Sequence, residues 1–208
     1  IRVGSGSAKF AGNVNGATTL NGGTITVADA ININGAIGSG TESGYLVLDG
    51  TTTVSGAINN LTNISAGASG KTATFSAAVT VSTIDIASGT VNFNGDVEAN
   101  IAVKGGTVNV ATGVDITGAI DNTKAANTGY ITFAGTSVVS GAIGSTYAFN
   151  TITTTANSTT SLKGGANAQT LVFNGDVLFG NNTTITNGIN FGANSGGLTL
   201  DSSAGDAT

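Results

Sequence analysis

The chain has 208 residues, with six Lys and Arg against eleven Asp and Glu, for a formal net charge of −5. Only 8% of it is charged, where a globular domain usually carries about 25%. It contains 33 Gly and no Pro, Cys, Met, Trp or His. These absences exclude disulfides, thiol nucleophiles, the usual zinc sites and imidazole catalysis.

The basic residues are scattered singly along the chain, which argues against a nucleic-acid surface or a polybasic membrane patch. We therefore expect no nucleic-acid partner. No run of about 20 apolar residues occurs, so we also expect no transmembrane segment. The chain opens on Ile1 and not on Met, which suggests that it is processed or excised from something longer. The basic residues are Arg2, Lys9, Lys71, Lys104, Lys124 and Lys163.

The predicted elements, from the N-terminus onward, are short runs in which apolar and polar residues alternate. This period of two is typical of strands with one buried face. No helix-length amphipathic segment separates them. The clearest runs are Thr24–Val27, Tyr45–Leu48, Thr90–Phe93, Thr107–Val110, Tyr130–Phe133 and Leu198–Leu200.

Two phrases repeat along the chain. One has an apolar anchor, a turn with Gly or Ala, and then Val; its copies at Phe93, Phe133 and Phe173 stand about 40 residues apart. The other is Gly-Ala-Ile, whose copies are separated by about 21 residues or by about three times that distance. Both fit a coil of roughly 20 residues. The remaining anchors are Phe10, Leu48 and Phe75, and the Gly-Ala-Ile copies begin at Gly35, Gly56, Gly118 and Gly141.

A repeat at one coil length favours a parallel β-solenoid, because equivalent positions then stack about 4.8 Å apart. An antiparallel sandwich could also be built from short strands, but it imposes no such period. The predicted fold is therefore all-β: a parallel β-helix (β-solenoid) of about ten coils of roughly 20 residues. No linker divides the chain, so residues 1–208 are predicted to form a single β-solenoid segment.

Asn-Gly pairs are predicted to turn the chain sharply by tolerating positive φ angles. Three longer polar stretches are predicted to be loops, namely residues 59–70, 121–129 and 151–169. The Asn-Gly pairs begin at Asn15, Asn21, Asn34, Asn94, Asn174 and Asn187.

Candidate chemistry is sparse. Asp96 and Asp176 occupy the same place in two copies of Phe-Asn-Gly-Asp-Val and are the weak candidates for a calcium site, although calcium wants six to eight oxygens and Asp in such a turn more often caps its own backbone. The segment Ser65–Thr72 (SAGASGKT) approaches a phosphate-binding loop but has Ser65 in place of the first Gly and leads into a strand. No catalytic residue and no cofactor is predicted.

The segments Tyr130–Ile143 (YITFAGTSVVSGAI) and Thr90–Val97 (TVNFNGDV) resemble the passenger regions of bacterial autotransporters, and among these the rickettsial surface cell antigens. The resemblance extends over nearly the whole chain. It implies a right-handed β-helix that is exported through a carboxy-terminal β-barrel and displayed on the outer surface of the bacterium. It also implies a role in a surface layer or in adhesion, and it carries no catalytic residue onto this chain.

We therefore expect a structural or adhesive protein, extracellular and at the bacterial cell surface, that contacts a host-cell or glycan receptor and is not an enzyme. We also expect self-association through the ends or faces of the solenoid. A self-assembling filament or lattice is the alternative function, because the ends of a solenoid expose strand edges that invite pairing. A glycan-active enzyme on a β-helix is a second alternative, which the dispersed carboxylates disfavour.

Overall fold

The structure is a computed structural model. It describes residues 1–41, 43–180, 184–185, 189–191 and 197–200. These residues form strands and turns and contain no helix. The first twelve strands are β1 (Arg2–Val3), β2 (Ser7–Phe10), β3 (Thr18–Leu20), β4 (Thr24–Val27), β5 (Ile37–Gly38), β6 (Tyr45–Leu48), β7 (Thr52–Val54), β8 (Ile58–Ala66), β9 (Thr72–Phe75), β10 (Val79–Ile86), β11 (Thr90–Phe93) and β12 (Val97–Val103). The next twelve are β13 (Thr107–Val110), β14 (Ile116–Thr117), β15 (Ile120–Asn122), β16 (Thr128–Phe133), β17 (Ser137–Val139), β18 (Phe149–Thr154), β19 (Thr159–Leu162), β20 (Asn167–Phe173), β21 (Asp176–Phe179), β22 (Thr184–Ile185), β23 (Ile189–Phe191) and β24 (Leu198–Leu200).

The strands stack in parallel into two sheets, which confirms the predicted β-solenoid of about ten coils. Sheet B holds β7, β9, β11, β13, β16, β18, β20, β22 and β23, and the other fifteen strands form sheet A. A coil averages about 19 residues but is not constant. Arg2 pairs with Thr19, a step of 17 residues, whereas Ile116 pairs with Val139, a step of 23.

Sheet A contains two rows of stacked strands. The long strand β8 joins them, because its start pairs with β5 and its end pairs with β6. The strand bends between the rows, where Asn60 adopts a φ of 59° and the pairing register with β10 shifts. A coil therefore follows the first row of sheet A and then its second row, and from β7 onward it continues into sheet B. In the first two coils, Val14 and Ile33 form only isolated bridges at that third place.

The core consists of columns of like residues that lie one above another through successive coils. In the first row of sheet A the column includes Ile37, Ile58, Val79 and Val97, all buried. Sheet B carries a phenylalanine column, in which the rings of Phe75 and Phe93 stack with centroids 5.5 Å apart. Burying such a side chain contributes about 1.5–3 kcal/mol, so the columns supply the main stabilisation of the rod.

The 40-residue spacing of the phenylalanines corresponds to two coils. Phe93, Phe133 and Phe173 belong to one column of sheet B, and Val110 and Thr154 occupy the coils between them. The buried column therefore alternates large and small side chains in this part of the rod.

The Gly-Ala-Ile phrase does not mark one place in the coil, although its spacing predicted that it would. Ile37 and Ile58 lie in the first row of sheet A. Ile120 and Ile143 lie in the column of the second row, above Ile101. The same three residues thus occupy two different corners, because each corner needs a residue without a side chain followed by a buried Ile.

Two of the three predicted loops are wrong. Residues 59–66 belong to β8, and residues 151–169 contain parts of β18 and β20 and all of β19. In β8 the bend separates buried residues by three positions, which hides the period of two. In the second stretch Thr154, Thr160 and Ala168 are buried where larger apolar residues were expected. Residues 123–127 do form a loop, in one of the 23-residue coils.

The prediction that the Asn-Gly turns need a positive φ is confirmed at Gly22, which has a φ of 88°. It is wrong at Gly16, Gly35, Gly95 and Gly175, none of which has a positive φ. A Cβ on Gly35 would lie 2.3 Å from the carbonyl oxygen of Gly16, so the close approach of successive coils is what requires glycine. The pair Asn187-Gly188 lies outside the described residues.

Candidate functional surface

The structure does not bring the calcium candidates Asp96 and Asp176 together. Both lie at the start of the first row of sheet A, but the pairing places them four coils apart, about 19 Å along the rod. Oδ1 of Asp96 accepts the Asp115 N–H at 2.9 Å, and Oδ1 of Asp176 accepts the Gly197 N–H at 2.7 Å. Each carboxylate therefore joins its own coil to the next one.

No group of three or more potential metal-ligating side chains forms among the residues that the structure describes. Asp115 continues the pattern seen at Asp96, since its Oδ1 accepts the Val138 N–H of the following coil at 2.9 Å. Asp96, Asp115 and Asp176 are thus all engaged in hydrogen bonds to the backbone of the following coil.

The segment that approaches a phosphate-binding loop does not have the geometry of one. Ser65 lies in β8, and Thr72 begins β9, so a strand follows where a helix would be needed. Lys71 instead forms an ion pair with Asp29, two coils earlier, at 2.5 Å. The hydrogen bond from the Lys71 ammonium, supported by the Thr51 N–H, holds the pKa of the Asp29 carboxyl below its usual 3.8.

Charge is divided unequally between the two sheets. None of the sheet B strands that the structure describes contains a charged residue, whereas six strands of sheet A each contain one. A second exposed ion pair, Lys104 with Asp85 at 3.3 Å, also belongs to the second row of sheet A and the turn that follows it. The charged residues of the sheet A strands are Arg2, Lys9, Asp85, Glu98, Asp121 and Asp176.

The outer side of sheet B is the most regular surface of the rod. Two outward positions, i and i+2, recur in seven successive coils, and threonine occupies ten of the resulting fourteen positions. We call this surface the threonine face. It consists of Thr51, Thr53, Thr72, Thr74, Thr90, Asn92, Thr107, Asn109, Tyr130, Thr132, Thr151, Thr153, Thr170 and Val172.

The threonine face is held in place by its own side chains. Most of its members are half-buried against their neighbours, and Thr and Val are stiff at χ1 because they branch at Cβ. Asn92 links two coils, since its Nδ2 donates to Oγ1 of Thr74 at 3.2 Å and its Oδ1 accepts from Nδ2 of Asn109 at 2.9 Å. Thr51 and Tyr130 are the two exposed members, and Tyr130, the largest side chain of the face, has 46% of its surface exposed.

The pairing within sheet B keeps the array aligned. From β9 to β13 every outward residue lies opposite its counterpart, Thr72 with Thr90 and Thr90 with Thr107. The register shifts that bend β10 in sheet A have no counterpart in the recorded pairs of these sheet B strands. The face is therefore an ordered two-dimensional array and not a scatter of polar residues.

Two depressions among the described residues offer little chemistry. One of about 310 Å³ is lined by residues 142–145 and 164–167, none of which is charged. Another of about 280 Å³, near β12, has Glu98 as its only charged lining residue. Neither contains the pair of carboxylates that hydrolysis of a glycoside commonly uses.

Two features of the structure were not anticipated from the sequence. The Thr that begins the predicted runs Thr90–Phe93 and Thr107–Val110 is a sequence signal for the threonine face, but the alternation of apolar and polar residues by itself identifies only the buried side of a strand. The second is Asn122, a fully buried amide in the core column above Val103. Its Nδ2 is within hydrogen-bond distance of the carbonyl oxygens of Ala125, Thr128 and Ala148, at 2.6, 3.0 and 2.8 Å.

Comparison with known proteins gives no relative: no family model, no curated protein and no solved structure matches the chain. Within the described ranges, no helix is long and apolar enough to cross a membrane. The fold thus assigns the chain to the parallel β-solenoids.

Proposed function

We propose that the chain is a structural or adhesive segment of a bacterial cell-surface protein, a passenger-type solenoid without catalytic activity that contacts other surfaces by repeated weak interactions. The threonine face carries this proposal. It presents one pattern of hydroxyl and amide groups over seven coils, about 29 Å from the first strand to the last. Many weak contacts arranged along one body bind far more tightly than any single one.

The division of charge supports the same function. An uncharged face is suited to a neutral partner, such as a glycan layer of a host cell, while the charged residues of sheet A keep the rod in solution. The resemblance of Tyr130–Ile143 to the rickettsial surface cell antigens, which include outer membrane protein B, agrees with export to the cell surface.

Surface display is tested with antibodies raised against the purified 208-residue chain. Intact cells of the source organism should be labelled, and surface protease should remove the label. Labelling that appears only after the cells are made permeable would contradict the proposal.

Adhesion is tested by coating beads with the chain and measuring their retention on host cells and on arrays of neutral glycans. Retention without any release of reducing sugar supports an adhesive role. Release of sugar from a bound glycan would instead support the glycan-active enzyme.

A self-assembling filament or lattice is the second candidate, because the first coil presents open strand edges. β1 pairs only with β3 and β2 only with β4, so the outer edge of each carries unpaired backbone groups in the described structure. Such edges are templates for pairing with another chain. Light scattering over a wide range of protein concentration tests this: a mass that stays at 20.0 kDa excludes polymerisation through the ends.

A further inference from the structure

The threonine face has a repeat in two directions, and this limits what it can recognise as a whole. Along the rod, equivalent residues such as Thr72 and Thr90 are separated by the strand spacing of about 4.8 Å. Within one strand, Thr72 and Thr74 are two residues apart, about 6.6 Å. A partner that uses all of these groups at once must itself repeat in two directions.

A second copy of the chain does not fit this face as a stable partner. The array is about 29 Å long and about 10 Å wide, which gives roughly 300 Å² on each side, whereas a stable protein interface buries about 800 Å² on each side. Two copies joined only through this face would separate readily. A partner that binds this small face stably must therefore be an extended, regularly repeating surface, so that many equivalent contacts form at once.

Ordered water is a partner with the required repeat. Water molecules joined tetrahedrally by hydrogen bonds of about 2.75 Å place oxygens that share a neighbour about 4.5 Å apart, and repeat along the perpendicular stacking axis at about 7.3 Å. Each spacing differs from that of the threonine face by about a tenth or less. A row of threonine hydroxyls can therefore take the place of a row of water molecules.

The chemistry of the face agrees with this geometry. Threonine offers a hydroxyl that joins a water lattice and a methyl group that fills the hollow beside it, and its stiff χ1 keeps both in position. Charged side chains would orient water strongly around themselves, and none occurs in the described strands of sheet B. We propose that the threonine face binds the surface of an ice crystal.

Tyr130 is the main departure from the array, because it occupies a threonine position and is 46% exposed. Its ring would hold the neighbouring hydroxyls of Thr107 and Thr151 away from a flat crystal. The same ring would be the natural stacking platform for a sugar. Substitution of Tyr130 therefore separates the two partners, since Tyr130→Thr should strengthen binding to ice and weaken binding to a glycan.

The experiment grows ice slowly from a buffered solution of the whole chain with serum albumin as the soluble control. The fraction of chain taken into the ice and the gap between freezing and melting temperatures are both measured. Thr132→Lys places a charge in the middle of the face. Thr80→Lys is its matched control, because Thr80 is also half-buried and outward but lies on sheet A opposite Glu98.

The proposal is supported if the chain is taken into the ice and if it opens a gap between the freezing and melting temperatures. This gap should be lost in Thr132→Lys, kept in Thr80→Lys and increased in Tyr130→Thr. Circular dichroism of each variant establishes that it is folded. Exclusion of the folded wild-type chain from ice, equal losses in the two lysine variants, or a smaller gap in Tyr130→Thr would each overturn it. Retention on neutral glycans, lost in Tyr130→Thr, would assign the face to a polysaccharide. Ice binding is independent of surface display, so either result can fail alone.

Discussion

Gly35 lies directly above Gly16, so close that a Cβ atom on Gly35 would come within 2.3 Å of the Gly16 carbonyl oxygen. Gly16 itself has nothing within 4 Å of its own Cβ position. The two glycines occupy the same corner of successive coils but differ in what lies beneath them. Substituting each by Ala therefore measures how tightly successive coils are stacked.

Gly35→Ala should lower the free energy of unfolding by about 1–3 kcal/mol, because the added methyl group must push two coils apart. Gly16→Ala is the matched control. It should be neutral or stabilising by about 0.4–1 kcal/mol, because it meets open space and restricts the unfolded chain. Urea denaturation followed by circular dichroism measures both, and equal effects in the two variants would contradict the stacking explanation.

The buried threonine hydroxyls predict sites where the rod can be stabilised. Thr160 is fully buried and its Oγ1 has no hydrogen-bond partner. Thr160→Val keeps the shape and removes the unpaired hydroxyl, so it should raise the free energy of unfolding by about 1 kcal/mol.

Thr154 provides the control for that substitution. It is equally buried, but its Oγ1 accepts the Gly175 N–H at 3.3 Å. Thr154→Val leaves that N–H unpaired and should destabilise the rod by about 1–3 kcal/mol. Thermal unfolding of the two variants should therefore shift in opposite directions, and a shift in the same direction would contradict the assigned hydrogen bonds.

Asn122 is expected to be the most sensitive polar position of the core. In addition to the three carbonyl groups around its Nδ2, its Oδ1 accepts the Lys124 N–H and the Thr128 hydroxyl, both at 3.2 Å. Asn122→Ala should cost about 3 kcal/mol, since several buried groups lose their partner together.

The loss should be localised in the loop of residues 123–127, which Asn122 holds against the rod. Limited proteolysis with mass spectrometry should find new cleavage there. Asn100→Ala is the control, because the exposed Asn100 makes one hydrogen bond, to the Ala119 N–H at 3.2 Å, and its loss should cost about 1 kcal/mol or less. Cleavage spread evenly over the rod in Asn122→Ala would contradict a local role.

The ion pair of Asp29 and Lys71 predicts a small dependence of stability on pH. The pKa of Asp29 is lower in the folded chain than in the unfolded chain, so the pair stabilises the fold above pH 3.8. This contribution is lost as the pH falls through the lowered pKa.

NMR titration of the Asp29 carboxyl should give a pKa below 3.8, and Lys71→Gln should move it upward. Because both side chains are exposed, 0.5 M NaCl should reduce the difference. A titration that is the same with and without the Lys71 ammonium would contradict the pairing.

The fold could be predicted from the sequence because a solenoid repeats its local pattern. Runs such as Thr90–Phe93 and Thr107–Val110 are strands in the structure with the same bounds, and Phe93, Phe133 and Phe173 share one column. Such regularity comes from stacking, which places like residues on like.

What the sequence did not predict depends on contacts between coils. The Gly-Ala-Ile phrase has the same local requirements at two corners, so its spacing could not tell Ile58 from Ile120. The need for glycine at Gly35 arises from the coil beneath and not from its own φ. Asn122 is buried only because residues 125, 128 and 148 fold around it, and nothing in its local sequence indicates that.

The threonine face could not be predicted from the sequence for a different reason. The alternation of apolar and polar residues identifies a strand from its buried side chains. It marks outward positions such as Thr74 and Thr132 only as polar and does not distinguish them from any other polar residue. Their significance appears only when seven coils are aligned. For the calcium candidates, the local sequence points to a site that the fold does not form. Asp96 and Asp176 share the phrase Phe-Asn-Gly-Asp-Val, but the pairing of the strands places them four coils apart.

The backbone hydrogen bonds that pair the strands run parallel to the axis of the rod, and among the described strands each coil pairs only with the coils beside it. A force that pulls on one end therefore detaches the last coil first and leaves the others intact. Each detached coil of about 19 residues releases about 65 Å of extended chain. Under tension the molecule should therefore unfold coil by coil. It should lengthen in steps, with work absorbed at each step, and should not unfold in a single event.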